Sequence, residues 1–471
     1  MSKTMLKIGY LFFLMSIAFA VPHPARADAA SALDEKERDR IDLAVREALD
    51  EMGAPGASLA VIKDGQIAYL QAYGNARLDP PEPSQTGMRY SIGSVSKQFT
   101  ATAMLMLAEQ GKLSLDDPVS KFLPDLTRAD EVKIRQLLSH TSGYQDYWPQ
   151  DYVPPSMLEE ISTDKILDGW ARKPLDFDPG TKRQYSNTNY VIAGIIVEKA
   201  SGMKLMQFLR ANIFEPLGMQ SVLDIDQNRL TESDAHGYQR YALGPLRTAP
   251  KEGKGWLFAT GQLAMTAEDL ARWDIAMIES RLLAPASYKA MQTVVLLNNG
   301  VGTSYGLGIY VTSRNGRRVF EHGGEVSGFM TENVVFPDDR AAIVVLVNQM
   351  ASNAPSKIAH EIELQLFAAS DVAGHEAKAL SIFEELQKGR IDRSLFTENA
   401  NFYFDEQALQ DFSASLAPLG KPEELTQTRQ NSRGGMIYHG YKVTFPERTL
   451  DIWSYEMPDG KIEQFQVQAK D

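Results

Sequence analysis

The sequence contains no cysteine, so neither a disulfide nor a lipid-bearing cysteine is available to it. Its stability, even outside the cytoplasm, must therefore come from the packed core. Basic charge is also scarce: 48 Lys and Arg stand against 61 Asp and Glu, for a net charge of -13. Because phosphate binding needs a basic surface, this balance argues against a nucleic-acid partner.

Metal-ligand and phosphate-binding patterns are lacking as well. The pairs His360-Glu361 and His375-Glu376 have no second ligand at helical spacing, so the sequence predicts no zinc site. No glycine-rich loop that would cradle a phosphate follows a predicted strand. We therefore expect neither a metal nor a cofactor.

Only the N-terminus carries a long apolar run. Two lysines precede residues 8–20, a run too short to span a bilayer comfortably, which is typical of a signal peptide. Small-x-small cleavage patterns occur at residues 18–20 and 25–27, and we favour the second because two prolines separate them. The prediction is a signal peptide at 1–27 and a periplasmic or secreted protein, with a retained anchor as the alternative. The oligomeric state stays open.

A chain of 471 residues is too long for one ordinary core. After a helix at 34–52, strand patterns occur near both ends of residues 28–370, with a long, mostly helical stretch between them. The predicted strands are 57–73, broken by a turn at Asp64-Gly65, then 305–312 and 318–322 around Asn315-Gly316, 329–336 and 341–348. We expect one α/β domain: an antiparallel sheet flanked by helices, with a helical region inserted in its middle.

The composition changes near residues 368–374, so residues 371–471 are predicted to form a small α+β accessory domain. Its expected elements are helices at 376–388 and 406–416, a helical turn at 392–395, and strands at 401–404, 425–430, 437–445, 449–456 and after 460. This element order resembles that of nuclear-transport-factor-like domains. The aromatic residues of this part, Phe402 and Tyr403 among them, are expected in its core.

A candidate nucleophile lies in the segment SIGSVSK at residues 91–97, which opens a strongly apolar helix ending near Gly111. A serine at a helix start is close to unpaired amides that favour a developing anion. Lys97 follows Ser94 by one turn, and burial would disfavour its charged form, so it could act as a base. The alternative is a simple N-cap serine. The same spacing also occurs at residues 201–204, which look like a turn between helices.

Two further segments hold groups suited to acyl transfer. Tyr185 and Asn187 stand just before an apolar helix at 189–199, where a phenol could relay a proton and an amide could hold substrate or the lysine. The HGG segment at 322–324 ends a predicted strand, and its glycines would let a substrate approach the backbone. A core tyrosine, a helix-capping asparagine and a glycine bend are the alternatives.

The order and separation of these three motifs resemble the serine β-lactamase and penicillin-binding-protein superfamily. The resemblance is to its β-lactamase-related branch, which includes class C β-lactamases, D-amino-acid peptidases, DD-peptidases and esterases. It covers roughly residues 35–365 and implies a β-lactamase-like fold. Further segments similar to that branch are IRQLLSHTSG at 134–143, ATG at 259–261, TAEDLARW at 266–273 and YGLG at 305–308.

The resemblance also implies a role for each site residue. Ser94 is the expected nucleophile, Lys97 its general-base partner, and Tyr185 the second proton carrier. Asn187 would orient the site. The strand with His322, Gly323 and Gly324 would line it, and the amides of Ser94 and Glu325 would form the oxyanion hole. There is no sign of a separate glutamate for deacylation, so Tyr185 or Lys97 would have to activate water.

One motif departs from the family pattern. Penicillin-recognising enzymes usually carry Lys-Thr-Gly on this strand, where this chain has His322 and Gly323, so a fixed positive charge and a hydroxyl are missing. The similar triplet Lys251-Glu252-Gly253 sits in a Pro/Gly-rich loop and is discounted. We therefore expect an esterase, or a peptidase of the D-amino-acid or peptidoglycan type. A weak β-lactamase and a catalytically silent ligand-binding protein are the alternatives.

Overall fold

The computed structural model describes residues 33–150, 152–314 and 316–469. The predicted signal peptide and Asn315 of the predicted turn lie outside these residues. Within the described part of the chain, no helix is both long enough and apolar enough to cross a membrane.

The helices alternate with short irregular segments. The α-helices are α1 (Glu35–Met52), α2 (Ser96–Glu109), α3 (Ile134–Leu138), α4 (Thr163–Ile166), α5 (Asn187–Ser201), α6 (Leu205–Leu209), α7 (Ala267–Ile278), α8 (Pro285–Met291), α9 (Ala354–Gln387), α10 (Glu398–Tyr403) and α11 (Glu406–Leu416). Short 3-10 turns occur at Gly93–Val95, Val119–Lys121, Pro155–Leu158, Arg393–Leu395 and Ala417–Leu419, and π-helical turns at Leu167–Ala171 and Arg210–Phe214.

The strands fall into one large sheet, one four-stranded sheet and short pairings. They are β1 (Gly56–Lys63), β2 (Gln66–Leu78), β3 (Pro81–Pro83), β4 (Tyr90–Ser91), β5 (Leu223–Asp224), β6 (Tyr238–Gln239), β7 (Arg247–Thr248), β8 (Leu263–Met265), β9 (Tyr310–Arg314), β10 (Arg317–Val326), β11 (Phe329–Phe336), β12 (Ala341–Val347), β13 (Glu424–Arg433), β14 (Met436–Thr444), β15 (Thr449–Glu456) and β16 (Ile462–Ala469).

The large sheet is antiparallel and has the order β3-β2-β1-β12-β11-β10-β9. Its two central strands come from opposite ends of the domain, with Leu59 opposite Val345. The predicted sheet with an inserted helical region is thus confirmed, and so is the β1–β2 turn at Asp64-Gly65.

One predicted strand is shorter than expected. Residues 305–312 were predicted as extended, but β9 begins only at Tyr310. Gly308 has φ +82°, and a Cβ added there would lie 2.8 Å from the Cβ of Ala101 on α2. The backbone therefore turns at this glycine to pass close to α2, and regular strand geometry starts after it.

Helices cover both faces of the large sheet. On one face α1 and α9 pack against β1 and β12, where every residue of β12 is buried. Strand β1 is buried at all positions but its last, as expected for a central strand. On the other face lie α7 and the insertion, with α2 buried from Ser96 to Leu107. This burial fits the strongly apolar sequence of α2.

The C-terminal part contains the antiparallel sheet β13-β14-β15-β16, packed against α9 and α10, and α11 packs on α9. Helix α9 is continuous across residue 370, the predicted domain boundary. Its first half joins the core of the large sheet and its second half joins a separate core beside the small sheet. The division of the chain into domains at that residue stays a prediction, as does the nuclear-transport-factor-like assignment.

The strand predicted at 401–404 is wrong, because helix α10 occupies Glu398–Tyr403. The Thr397 hydroxyl accepts a hydrogen bond from Ala400 N at 3.2 Å and caps this helix. Phe402, expected in the core, is 88% exposed. The helical period places it on the outer face, away from the core that Phe404 joins.

Candidate active site

Ser94 lies in the 3-10 turn that connects β4 to α2, and this turn packs against β10. Two glycines make the close contact feasible. A Cβ on Gly93 would lie 2.6 Å from Glu325 N, and one on Gly324 would lie 2.0 Å from Ile92 O. The amides of Ser94 and Glu325, predicted to form an oxyanion hole, therefore belong to two backbone segments in direct contact.

Lys97 is completely buried one turn after Ser94. Its Nζ atom has three hydrogen-bond partners: Ser94 Oγ at 3.0 Å, Asn187 Oδ1 at 2.9 Å and Thr260 O at 2.9 Å. Burial lowers the pKa of Lys97 to about 7, and the Asp146 carboxylate opposes that shift. A substantial fraction of the amine is therefore neutral near pH 7, with Ser94 within proton-transfer distance.

Tyr185 lies beside Lys97, whose Nζ atom is 5.0 Å from the centroid of the phenol ring. Burial raises the pKa of Tyr185 well above its ordinary value, while the neighbouring Ser94 hydroxyl acts in the opposite direction. The two hydroxyls do not reach hydrogen-bond geometry, and Tyr185 Oη has no hydrogen-bond partner among the described residues. The phenol is thus protonated and oriented towards the nucleophile, where a leaving group would be.

Asn187 is the first residue of α5, and its amide joins Lys97 to a carboxylate that the sequence did not suggest. Its backbone N donates to Asp146 Oδ1 at 2.9 Å and its Nδ2 donates to the same oxygen at 3.2 Å. Trp148 N also donates to this oxygen at 3.1 Å. Burial raises the pKa of Asp146, and the amide of Asn187 and the charge of Lys97 oppose that shift. Asp146 stands three residues after the SHTSG segment, and this proximity is the sequence signal that could have pointed to it.

The side chain of His322 is held behind the site. His322 Nδ1 lies 2.6 Å from Gly323 O, and its Nε2 lies 2.9 Å from Tyr305 Oη. A carbonyl can only accept, so Nδ1 donates to it and Tyr305 donates to Nε2. Burial lowers the pKa of His322 to about 3, so the ring carries no charge at pH 7. The histidine therefore does not replace the charge of the missing lysine.

Two segments that the sequence singled out by resemblance alone also have contacts in the site. His140 stacks on Tyr185 with ring centroids 4.1 Å apart, and His140 Nδ1 accepts a hydrogen bond from Ser186 N at 3.1 Å. Thr260 supplies the carbonyl that holds Lys97. Both segments thus position the proton carriers.

Two segments discounted from the sequence lie where predicted. Ser201 ends α5 and α6 begins at Leu205, so the second Ser-x-x-Lys motif is a turn between helices. The triplet Lys251-Glu252-Gly253 belongs to no helix or strand, and Glu252 Oε1 accepts a hydrogen bond from Ser327 N at 2.9 Å.

A cavity of 480 Å³ opens over Ser94. It is lined by Ser94, Asp146, Trp148, Pro149, Gln150, Gln184, Tyr185, Asn187, Leu257, Thr260, Gly261, Glu325, Val326 and Met350. Strand β10 contributes Glu325 and Val326, whereas His322, Gly323 and Gly324, predicted to line the site, are not among the lining residues. Among the described residues, the lining contains two carboxylates and neither lysine nor arginine. A cavity of this size fits a small organic substrate.

Residues 41–366 match the family described as Beta-lactamase. Penicillin-binding protein 4* of Bacillus subtilis (strain 168) is 29% identical over 318 residues, which cover 64% of this chain and 70% of that protein. The D-aminopeptidase of Gluconobacter oxydans (strain 621H) is 26% identical over 317 residues, or 66% of this chain. The match spans only 59% of that enzyme's own length.

A solved structure has the same fold. The D-stereospecific amidohydrolase from Streptomyces sp. superposes with a TM-score of 0.59 and 26% sequence identity. The superposition covers 69% of this chain and 98% of that one. The region it shares with this chain therefore has a β-lactamase-like fold, as the sequence predicted.

Proposed function

Because this chain belongs to the Beta-lactamase family, we propose that it is an exported serine hydrolase that cleaves esters or amides of D-amino acids through an acyl-serine intermediate on Ser94. Serine hydrolases of the amidase and peptidase type share this fold. The observation that carries the proposal is the 3.0 Å hydrogen bond between Lys97 Nζ and Ser94 Oγ, made by a lysine whose pKa is lowered to about 7.

Acylation begins when neutral Lys97 takes the proton of Ser94 Oγ as that oxygen attacks the substrate carbonyl carbon. The carbonyl oxygen becomes negative, and the amides of Ser94 and Glu325 stabilise it. The tetrahedral intermediate then breaks the bond to the leaving nitrogen or oxygen. Tyr185 gives its proton to that atom and recovers one from the Lys97 ammonium, which returns the lysine to its neutral form.

Deacylation repeats the sequence with water as the nucleophile. Lys97, which is neutral again, takes a proton from the water as the water oxygen attacks the acyl carbon, because Tyr185 still holds its own proton. The ester bond to Ser94 breaks, and the proton returns to Ser94 Oγ. The products are the carboxylic acid and a free enzyme, so atoms and charge balance.

The charges of the cavity favour a substrate with an amine. Asp146 and Glu325 line it, and no lysine or arginine is among its described lining residues. A substrate carboxylate would find no exposed cation there, since His322 is neutral and Lys97 is completely buried. Trp148, Leu257 and Met350 form an apolar wall that can hold a side chain. These features support an aminoacyl ester or amide, and the D-specific enzymes among the similar proteins support the D configuration.

The test is a substrate panel with the chain from residue 28 onward. It contains D-alanine p-nitroanilide, L-alanine p-nitroanilide, a p-nitrophenyl ester and a chromogenic cephalosporin. We expect turnover of the ester and the D-anilide, little turnover of the L-anilide, and loss of both activities in Ser94→Ala. Ser201→Ala, in the second Ser-x-x-Lys motif, is the matched control and should keep full activity.

Other outcomes would contradict the proposal. Faster turnover of the cephalosporin than of the aminoacyl substrates would support a β-lactamase. It would also refute the inference that the cavity disfavours a substrate carboxylate. Absence of turnover on the whole panel would support a ligand-binding protein. Preference for the L-anilide would overturn the assigned stereochemistry.

Export is a separate part of the proposal and rests on the N-terminal sequence. Fractionation of cells that express the full chain should place it outside the cytoplasm, and mass spectrometry should place its first residue after Ala27. Recovery of the uncleaved chain in the membrane fraction would support the retained anchor.

A further inference from the structure

Three potential metal ligands meet beside the small C-terminal sheet. His375 lies on α9, His439 on β14, and Glu456 at the end of β15. One ligand atom from each lies within 4.8 Å of the others. The two imidazole rings are 4.3 Å apart between centroids. The local sequence around His375 does not reveal this group, because its partner ligands lie on the sheet and not one helical turn away.

Strand register explains how the sheet supplies two of the ligands. Ser454 lies opposite His439, and Ile437 lies opposite Glu456. Residues two apart on a strand share a face, so His439 and Glu456 are diagonal neighbours on one face. Helix α9 packs beside this sheet and brings His375 to the same place.

The imidazole nitrogens in this group have unused binding capacity. His439 is 0% exposed, and neither of its ring nitrogens has a hydrogen-bond partner among the described residues. Nδ1 of His375 is also buried without one. Buried polar atoms normally have a hydrogen-bond partner. Two adjacent histidines whose buried ring nitrogens have none are therefore suited to bind a ligand.

The local electrostatics are compatible with a cation. Metals bind the neutral form of imidazole, and the cation near His439 is Lys378. Lys378 also pairs with Glu456 Oε2 at 3.1 Å and donates to Gly460 O at 2.6 Å. A carboxylate has two oxygens, so Glu456 can bind a cation through one while keeping the ion pair through the other.

We propose that His375, His439 and Glu456 form a binding site for a divalent first-row transition metal, with Zn²⁺ as the best fit. Two histidines and one carboxylate are a ligand set that zinc uses, with a fourth position left for water. In a tetrahedral zinc site the ligand atoms are about 3.3 Å apart, so modest side-chain movement closes this site around an ion. The ion would link α9 to β14 and β15.

The test is metal titration of untagged protein that has been treated with a chelator and dialysed. Calorimetry with Zn²⁺ should show one ion per chain, and Co²⁺ should give the visible absorption of a four- or five-coordinate site. His439→Asn should weaken binding by more than the roughly 10- to 100-fold that loss of an outer-shell partner costs. His360→Asn is the matched control, because His360 is an exposed histidine on the same helix.

A second measurement protects against variants that fail to fold. In the unmodified protein, Zn²⁺ should shift the imidazole nitrogen resonances of His375 and His439 and leave those of His360 in place. No saturable binding, unshifted resonances, or unchanged affinity in a folded His375→Asn/His439→Asn variant would overturn the proposal. Ser94-dependent hydrolysis does not need this site and should survive the chelator, so either proposal can fail without the other.

Discussion

Lys97 and Asp146 bind opposite ends of the side-chain amide of Asn187. Lys97 Nζ donates to Asn187 Oδ1 at 2.9 Å, and Asn187 Nδ2 donates to Asp146 Oδ1 at 3.2 Å. The carboxylate thereby fixes the orientation of the amide, because only its oxygen can accept from the lysine. It also opposes the lowering of the Lys97 pKa by burial, which leaves that pKa near 7.

We predict that activity rises with pH through the titration of Lys97. Below about pH 7 the amine is protonated and cannot take the Ser94 proton, so kcat/KM should increase up to a plateau above that value. No fall is expected up to pH 9, because the pKa of Tyr185 is raised. A profile of kcat/KM on the p-nitrophenyl ester checks this. If a Lys97→Arg variant keeps residual activity and its kcat/KM rises over the same pH range, another group titrates there.

Asp146→Asn should move the rising part of the pH profile of kcat/KM to lower pH. The carboxylate raises the pKa of Lys97, so its removal should lower this pKa further and make the neutral amine available in more acidic solution. The asparagine can still accept from Asn187, which limits the structural change. The same pH profile measures the effect, and a limb displaced towards higher pH would refute the proposed coupling.

Tyr185→Phe should reduce kcat much more than it changes KM. The phenol is assigned to proton transfer, which is typically worth on the order of 10² to 10⁴ in rate. Tyr310→Phe is the matched control, since Tyr310 is a nearby tyrosine that packs on Tyr305 and does not line the cavity. Equal small losses in both variants would indicate that Tyr185 only packs. If Tyr185 protonates the leaving group, the variant should lose more kcat with the anilide, whose leaving group is poor, than with the ester.

Much of this site could be predicted from sequence because its parts lie at the ends of regular elements. Ser94, Lys97 and Asn187 lie at helix starts, and their spacing shows them once the strand and helix order is known. Asp146 could not be found this way. It stands in an irregular loop, and its role depends on contacts with residues 41 positions away.

For the fold as well, features set by local sequence could be predicted, whereas features set by contacts between distant residues could not. Turn residues and alternating apolar patterns correctly gave β1, β2, β11 and β12 and the four strands of the small sheet. The errors at residues 305–309 and 401–404 arose where tertiary contact or a helix cap outweighed local strand propensity. The pairing of His375 with His439 depends on packing between a helix and a sheet, which no local pattern encodes.

Asp274→Asn tests the role of a buried carboxyl on α7. Asp274 is completely buried, and its Oδ2 accepts a hydrogen bond from Asn333 Nδ2 at 2.7 Å while Oδ1 has no partner among the described residues. Burial raises the pKa of Asp274 well above its usual range. The folded protein therefore holds a proton that the unfolded chain releases above about pH 4.

Because the native state binds more protons, the free energy of unfolding should fall as pH rises from about 4 towards the native pKa of this group. The asparagine variant escapes this loss. Its melting temperature should exceed that of the parent at pH 8, by roughly 1 °C for each kcal/mol recovered, and by less at pH 5. An advantage that is the same at both pH values would show that Asp274 does not titrate in this range.

The most direct test of acyl transfer at Ser94 is intact-protein mass spectrometry after treatment with an active-site-directed phosphonate. The account predicts one adduct per chain, located on the peptide containing Ser94, absent in Ser94→Ala and formed faster as pH rises through about 7. Ser201→Ala should label like the parent. An adduct on another residue, or sustained hydrolysis by a Ser94→Ala protein, would contradict it.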